Sequence, residues 1–205
     1  MSEAAKKAPL IITMWETYGS GMEEVAAQVA ERLGVQLHKQ AFTSDQIEAA
    51  EAARAEEGGF MRMVRRVGSM HIGDAVSSGT ARAEQESWVE LAAQNTKIVR
   101  DQAAVGGVVL GRNGAFILQD EPRALHIKLD GHPRARAEQA ARLKGISLDE
   151  ATKRLPKEDE FRRSFSLNTY NFDPAGNEYY TLVVNSPKLG VEETVRLILE
   201  AAKDL

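Results

Sequence analysis

The chain has 205 residues, no cysteine, 26 basic and 30 acidic side chains and a hydrophobic share of 43%, which excludes wholesale disorder and a collagen-like or coiled-coil chain. A formal net charge of -4 argues against a nucleic-acid polymer as partner, and the lack of cysteine removes disulfides, thiolate metal sites and cysteine nucleophiles. Chemistry must come from oxygen, nitrogen or charge, and the length suits one domain over residues 1–205.

Residues 10–15 are apolar but too few for a signal segment or a membrane span, so a cytoplasmic protein with no membrane partner is expected. The same run predicts a strand over 10–14 that ends at Tyr18-Gly19-Ser20-Gly21. Val25, Ala26, Val29, Ala30 and Leu33 then recur at helical spacing as far as Gly34, and residues 35–38 predict a second short strand. Thr43 with Gln46 forms a capping box before an Ala- and Glu-rich stretch, and residues 70–80, with Gly73 and Gly79, predict a loop. Trp88, Leu91, Ala92, Ile98 and Val99 predict a long helix, which offers a surface for a homodimer without requiring one.

A short strand follows at 107–110, with Gly111-Arg112-Asn113-Gly114 at its end, and another at 124–129. Pro133 suits the first turn of a helix, and Ser147 with Glu150 forms a capping box for the next. Residues 179–185 predict the last strand and 191–205 a closing helix. Strands alternating with helices in this way indicate an α/β fold with about five mostly parallel strands. Ligands in such sheets sit beyond the carboxyl ends of the strands, which directs attention to the turns at 16–21, 111–114, 130–136 and 185–186.

The turn at 18–21 lies between a strand and a helix, where glycines let backbone N–H groups face an anion. It departs from the full Walker pattern, since Glu16 stands at the first glycine, Met22 at the lysine and Glu23 at the hydroxyl residue. A carboxylate about 6 Å from a phosphate charge costs roughly 2–3 kcal/mol at an effective dielectric near 20. Charge is also unevenly spread: residues 123–163 carry 11 Lys/Arg against 7 Asp/Glu, inside an otherwise acidic chain. The four histidines have no metal-ligand spacing, and no metal site of protein side chains is expected. Neither a Gly-x-Ser-x-Gly elbow nor a complete dinucleotide fingerprint is present.

Taken together, Ile12-Thr13 through Tyr18-Gly19-Ser20-Gly21, Ala30-Glu31-Arg32-Leu33-Gly34, the run from Val109 to Leu118, Leu182-Val183-Val184-Asn185-Ser186 and Leu189-Gly190-Val191-Glu192 resemble the cytidylate kinase-like proteins, relatives of the P-loop nucleoside monophosphate kinases. The resemblance covers nearly the whole chain and implies a three-layer P-loop NTPase-like fold with a helical lid over about residues 133–170. It implies a phosphotransferase that uses ATP with Mg2+ and takes CMP, dCMP or a related small acceptor. The alternative is a family member that binds a nucleotide or other anion in a regulatory role without catalysis.

The resemblance also implies roles for particular residues. Tyr18, Gly19, Ser20 and Gly21 would hold donor phosphates, and Arg112, Arg134 and Arg136 would bind substrate. Arg162 and Arg163 would neutralise charge during transfer, with Asp159 positioning one arginine. Arginine suits phosphate because its planar fork binds two oxygens at once.

Overall fold

The computed structural model of the chain describes residues 9–39, 81–203 and 205, with the backbone alone for 81–87. The capping box at Thr43 and Gln46 and the loop expected over 70–80 lie outside the described residues.

Strand β1 (Ile11–Glu16) has the alternation of a strand covered on both faces: Ile12 and Met14 enter one core cluster, whereas Ile11 enters another. It lies between β3 (Gly107–Leu110) and β4 (Ala124–Asp130). β2 (Leu37–His38) pairs with β3 and β5 (Leu182–Asn185) with β4, giving a five-stranded parallel sheet in the order β2-β3-β1-β4-β5. Helices α1 (Met22–Leu33) and α7 (Val191–Ala202), the latter preceded by the one-turn α6 (Ser186–Leu189), cover one face, where Val25, Val29, Val195 and Ile198 join Ile12, Met14, Ile127 and Leu129 in the main core. On the other face, α2 (Ala81–Val105) and the one-turn α3 (Gly114–Ile117) bring Val99, Ala103 and Ile117 against Ile11.

The chain fills the β3 side of β1 first and the β4 side afterwards, so the strand order reverses at β1. That reversal opens a crevice at the carboxyl ends of the strands. Two helices, α4 (Pro133–Lys144) and α5 (Leu148–Tyr170), form a hairpin there, in the place expected for the lid. Pro133 stands at the start of α4, and the Ser147 hydroxyl accepts from the Glu150 amide at the start of α5, as the sequence predicts.

The last strand is shorter than expected. Residues 179–181 belong to a turn in which the Tyr180 amide donates to the Asn177 carbonyl. Tyr179 packs edge-on to Phe172 at 4.9 Å and Tyr180 lies beside Trp15 at 6.3 Å, so these aromatics cover the sheet rather than extend it. The closing helix ends at Ala202. Among the described residues no helix is long and apolar enough to cross a membrane.

Polar atoms inside the sheet are paired. The Thr13 hydroxyl donates to His126 Nδ1 at 2.8 Å, and His126 Nε2 donates to the Leu118 carbonyl at 3.2 Å, so both ring nitrogens of one neutral tautomer are used. Burial lowers the His126 pKa, which favours that neutral form. Replacing Thr13 by Val keeps the volume but leaves Nδ1 without its donor. We expect a loss of about 1–3 kcal/mol in unfolding free energy by urea denaturation, with the fold unchanged.

Candidate functional site

The turn after β1 is fastened on every side. The Thr17 amide donates to the Leu129 carbonyl at 3.1 Å and its hydroxyl to Asp130 Oδ1 at 2.7 Å, which ties the turn to the end of β4. The Tyr18 amide donates to Asp159 Oδ1 at 2.7 Å, and the Tyr18 carbonyl accepts from Arg136 Nη1 at 3.0 Å. Arg136 and Asp159 are themselves paired at 2.8 Å, and Arg136 Nε reaches the Gly131 carbonyl at 3.0 Å. The Ser186 hydroxyl donates to the Ser20 carbonyl at 2.6 Å. Gly19 has a φ of +84°, and a Cβ there would fall 2.4 Å from the Arg136 carbonyl oxygen. The backbone of α4 therefore lies directly on the turn, and only glycine permits that approach.

Charge inside the site is dense and largely committed. Glu16 is 7% exposed, and its Oε2 accepts from the Met22 amide at 3.0 Å, at the first turn of α1. Arg162 on α5 pairs with the buried Glu158 at 2.8 Å and brings a second nitrogen to 4.0 Å from Glu16. Its guanidinium also lies 5.9 Å from the centre of the Tyr18 ring, with Lys144 at the same distance from that ring. Burial first, and then the Glu158 charge, push the Tyr18 hydroxyl up to about 12. Burial drives the Glu16 carboxyl up to about 7, against the opposing pull of Arg162, the Met22 amide and Lys144 and with help from Glu23.

Arg112 belongs to a second turn at the end of β3. Gly111, Arg112 and Asn113 have φ of 62°, 54° and 56°, three left-handed residues in succession, closed by the Gly114 amide on the Gly111 carbonyl at 3.0 Å. Such backbone costs about 1–2 kcal/mol per non-glycine residue and persists only where surrounding contacts fix it. Here Asn95 donates to the Arg112 carbonyl at 2.8 Å and to the Tyr170 hydroxyl at 2.9 Å, and Ser166 donates to Asn113 Oδ1 at 2.6 Å. The Tyr170 hydroxyl in turn donates to the Ala92 carbonyl at 2.9 Å.

The structure thus gathers Tyr18, Gly19, Ser20, Gly21, Arg136, Asp159 and Arg162 at one turn and sets Arg112 at the neighbouring strand end. Arg134 lines a pocket with Arg136 and Asp159, whereas Arg163 stands apart, and both are held in surface pairs. Arg163 is exposed and pairs with Asp173 at 2.8 Å, and Arg134, its side chain 82% exposed, pairs with Glu138 at 3.0 Å. Arg163 follows Arg162 directly, and one step along a helix turns a side chain by about 100°, away from the turn. Trp15, at the end of β1 beside the turn, is half-buried, with Lys128 Nζ 5.6 Å from its ring centre. Glu158, Gln139, Asn95 and Ser166 do not stand out in the sequence as site residues. For Glu158 the available signal is its i,i+4 spacing from Arg162. Among the described residues no group of three or more His, Asp or Glu is arranged to hold a metal ion.

Residues 11–188 match the cytidylate kinase-like family. A uronate isomerase of Corynebacterium glutamicum is 32% identical over 146 residues, 70% of this chain and 27% of that protein. A cytidylate kinase of Pyrococcus horikoshii is 33% identical over 105 residues, 51% of this chain and 53% of the kinase. The chain therefore spans only part of the length of either relative. The crystal structure of an uncharacterized protein from Eubacterium ventriosum is alike in fold, with a TM-score of 0.67 at 16% identity over 96% of this chain and 99% of that one.

Two measurements follow from this geometry. Gly19→Ala adds a strained φ and a backbone clash, and we expect it to cost at least about 2 kcal/mol in unfolding free energy. The raised Glu16 means that the native state keeps a proton which the unfolded chain has released. Its stabilising contribution is complete below pH 4.5 and is lost as the pH rises through about 7. Urea denaturation at pH 4.5 and 7.5 should show Glu16→Gln gaining on the wild type over that interval by an amount on the order of 3 kcal/mol. Parallel pH profiles would show instead that Glu16 is ionised in the fold throughout.

Proposed function

The chain belongs to the cytidylate kinase-like family, and on that premise we propose that it is a nucleoside monophosphate kinase-like phosphotransferase, moving the γ-phosphoryl group of ATP to CMP, dCMP or a related small acceptor. The observation that carries the reading is the placement of Arg162: a cation with its side chain 12% exposed, over the Tyr18 ring and beside the first turn of α1. Phosphoryl transfer is chiefly positioning and charge stabilisation, and a guanidinium at the turn supplies the positive charge that Met22 does not.

In this reading the backbone of residues 18–21 orients the donor phosphates, and Arg136 with Asp159 holds that backbone in shape. Arg162 stabilises charge on the transferring group, while Arg112 binds the acceptor phosphate from the end of β3. Magnesium enters with the nucleotide as part of the co-substrate and neutralises phosphate charge. At the start of α1 the Met22 amide already donates to the Glu16 carboxylate. The same contact favours a second reading, in which the chain binds a nucleotide or other anion in a regulatory role without transfer.

A coupled assay with ATP, magnesium and a panel of nucleoside monophosphates, run beside thermal-shift titration, separates the two. Turnover should be greatest with CMP or dCMP. Arg162→Lys, which keeps a charge opposite Glu158 and so preserves the fold, should lower kcat by roughly 10²-fold. Arg163→Ala should leave turnover near that of the wild type. Stabilisation by nucleotides with no turnover for any acceptor would exclude the kinase reading in favour of the second.

A further inference from the structure

On the reading of the β1–α1 turn as a phosphate site, we propose that Glu16 is the turn's own occupant: its carboxylate holds the Met22 amide that a nucleotide phosphate would take, and anions enter only as Glu16 leaves. Three observations support this. Glu16 is not a surface residue that happens to lie close by; it is 7% exposed, and Oε2 is 3.0 Å from the Met22 nitrogen. Second, the nearest guanidinium, Arg162, is already paired with Glu158 at 2.8 Å, so it cannot fully offset two further anions at one amide. Third, polar capacity beside the turn is uncommitted. Gln139 is 2% exposed, both atoms of its amide lack a hydrogen-bond partner among the described residues, and its Nε2 lies 2.9 Å from where a Cβ on Gly21 would stand. The Gln139 amide thus abuts the turn at Gly21 with both its donor and its acceptor unpaired, and an anion that displaces Glu16 would meet that donor.

The charged and titratable groups that face Glu16 come from each element around it. They are Arg162 and Glu158 on α5, Lys144 on α4, Glu23 on α1, and Tyr18 in the turn itself. Arg162 and Lys144 attract an incoming anion as they attract Glu16, so the two compete for the same cations as well as the same amide. Protonation of Glu16 removes its charge and with it the competition. Anion affinity should therefore rise as the pH falls, relative to a variant that has no carboxylate at this position.

The test is calorimetric titration of the full chain with inorganic tripolyphosphate at pH 6 and pH 8. Glu16→Ala should bind at least about tenfold more tightly than the wild type at pH 8, and the gap should narrow at pH 6. Glu16→Gln, a neutral side chain of the same size, should share that gain if the alanine variant fails to fold. Equal affinities for wild type and folded variant at pH 8, or no binding by either, would overturn the proposal. Phosphoryl transfer is assayed separately, so that the two ideas fail apart. Tighter binding without transfer leaves the role of Glu16 standing and removes the kinase reading, whereas transfer with equal binding does the reverse.

Discussion

The site depends on the way the backbone of one residue, Tyr18, is gripped at both its amide and its carbonyl by a single ion pair. Asp159 comes from α5 and Arg136 from α4, so the two helices of the hairpin meet on one link of the turn. Neither charge is free to leave. Arg136 is 92% buried and Asp159 about three-quarters buried by side chain, and removal of either would strand the other away from water. The grip also explains the demand for glycine at position 19, because it draws the α4 backbone against the turn. The Tyr18 ring then packs with Ala137, Ala140, Ala151 and Leu155, small and apolar residues that let the hairpin approach.

Charge in this region is balanced pair by pair. Arg136 answers Asp159, Arg162 answers Glu158, and Arg154 answers Glu150 at 2.7 Å. The basic excess of residues 123–163, seen as a total, suggests an open positive surface. Resolved in space much of it is committed: Lys128 is buried and held by the Ala175 carbonyl and the Asn177 side chain, while the exposed Arg134 and Arg163 form surface pairs with Glu138 and Asp173. The turn therefore sits in a nearly neutral enclosure, in which the state of one carboxylate, Glu16, weighs more than the sum of surface charge.

Much of the fold was legible in the sequence, because strands and helices declare themselves over short windows. The apolar run that becomes β1, the glycines at 19 and 21, Pro133 and Ser147 are local signals, and each stands where the sequence predicts. The start of β5 is not legible in the sequence, because Tyr179 and Tyr180 have strand-like composition but are recruited by Phe172 and Trp15 from elsewhere in the chain. The site was legible in outline. The turn and Arg112 follow from their place at strand ends, whereas the grip on Tyr18 joins residues 141 and 118 positions apart and leaves no local pattern. Glu16 was visible as an unfavourable charge; that it folds inward onto the Met22 amide required the geometry of the turn.

The helix α5 is fastened near its middle to the β1–α1 turn through Asp159, and toward its end to the Arg112 turn through Ser166 and Tyr170. The eleven helical steps from Asp159 to Tyr170 span about 16 Å, a stiff rod with a hydrogen-bonded anchor at each end. A rod so held fixes the spacing between the two turns. The shape of one turn cannot change appreciably unless α5 bends, slips or releases an anchor at the other. The two strand ends are thus mechanical neighbours although they are far apart in sequence, and α5 works between them as a lever.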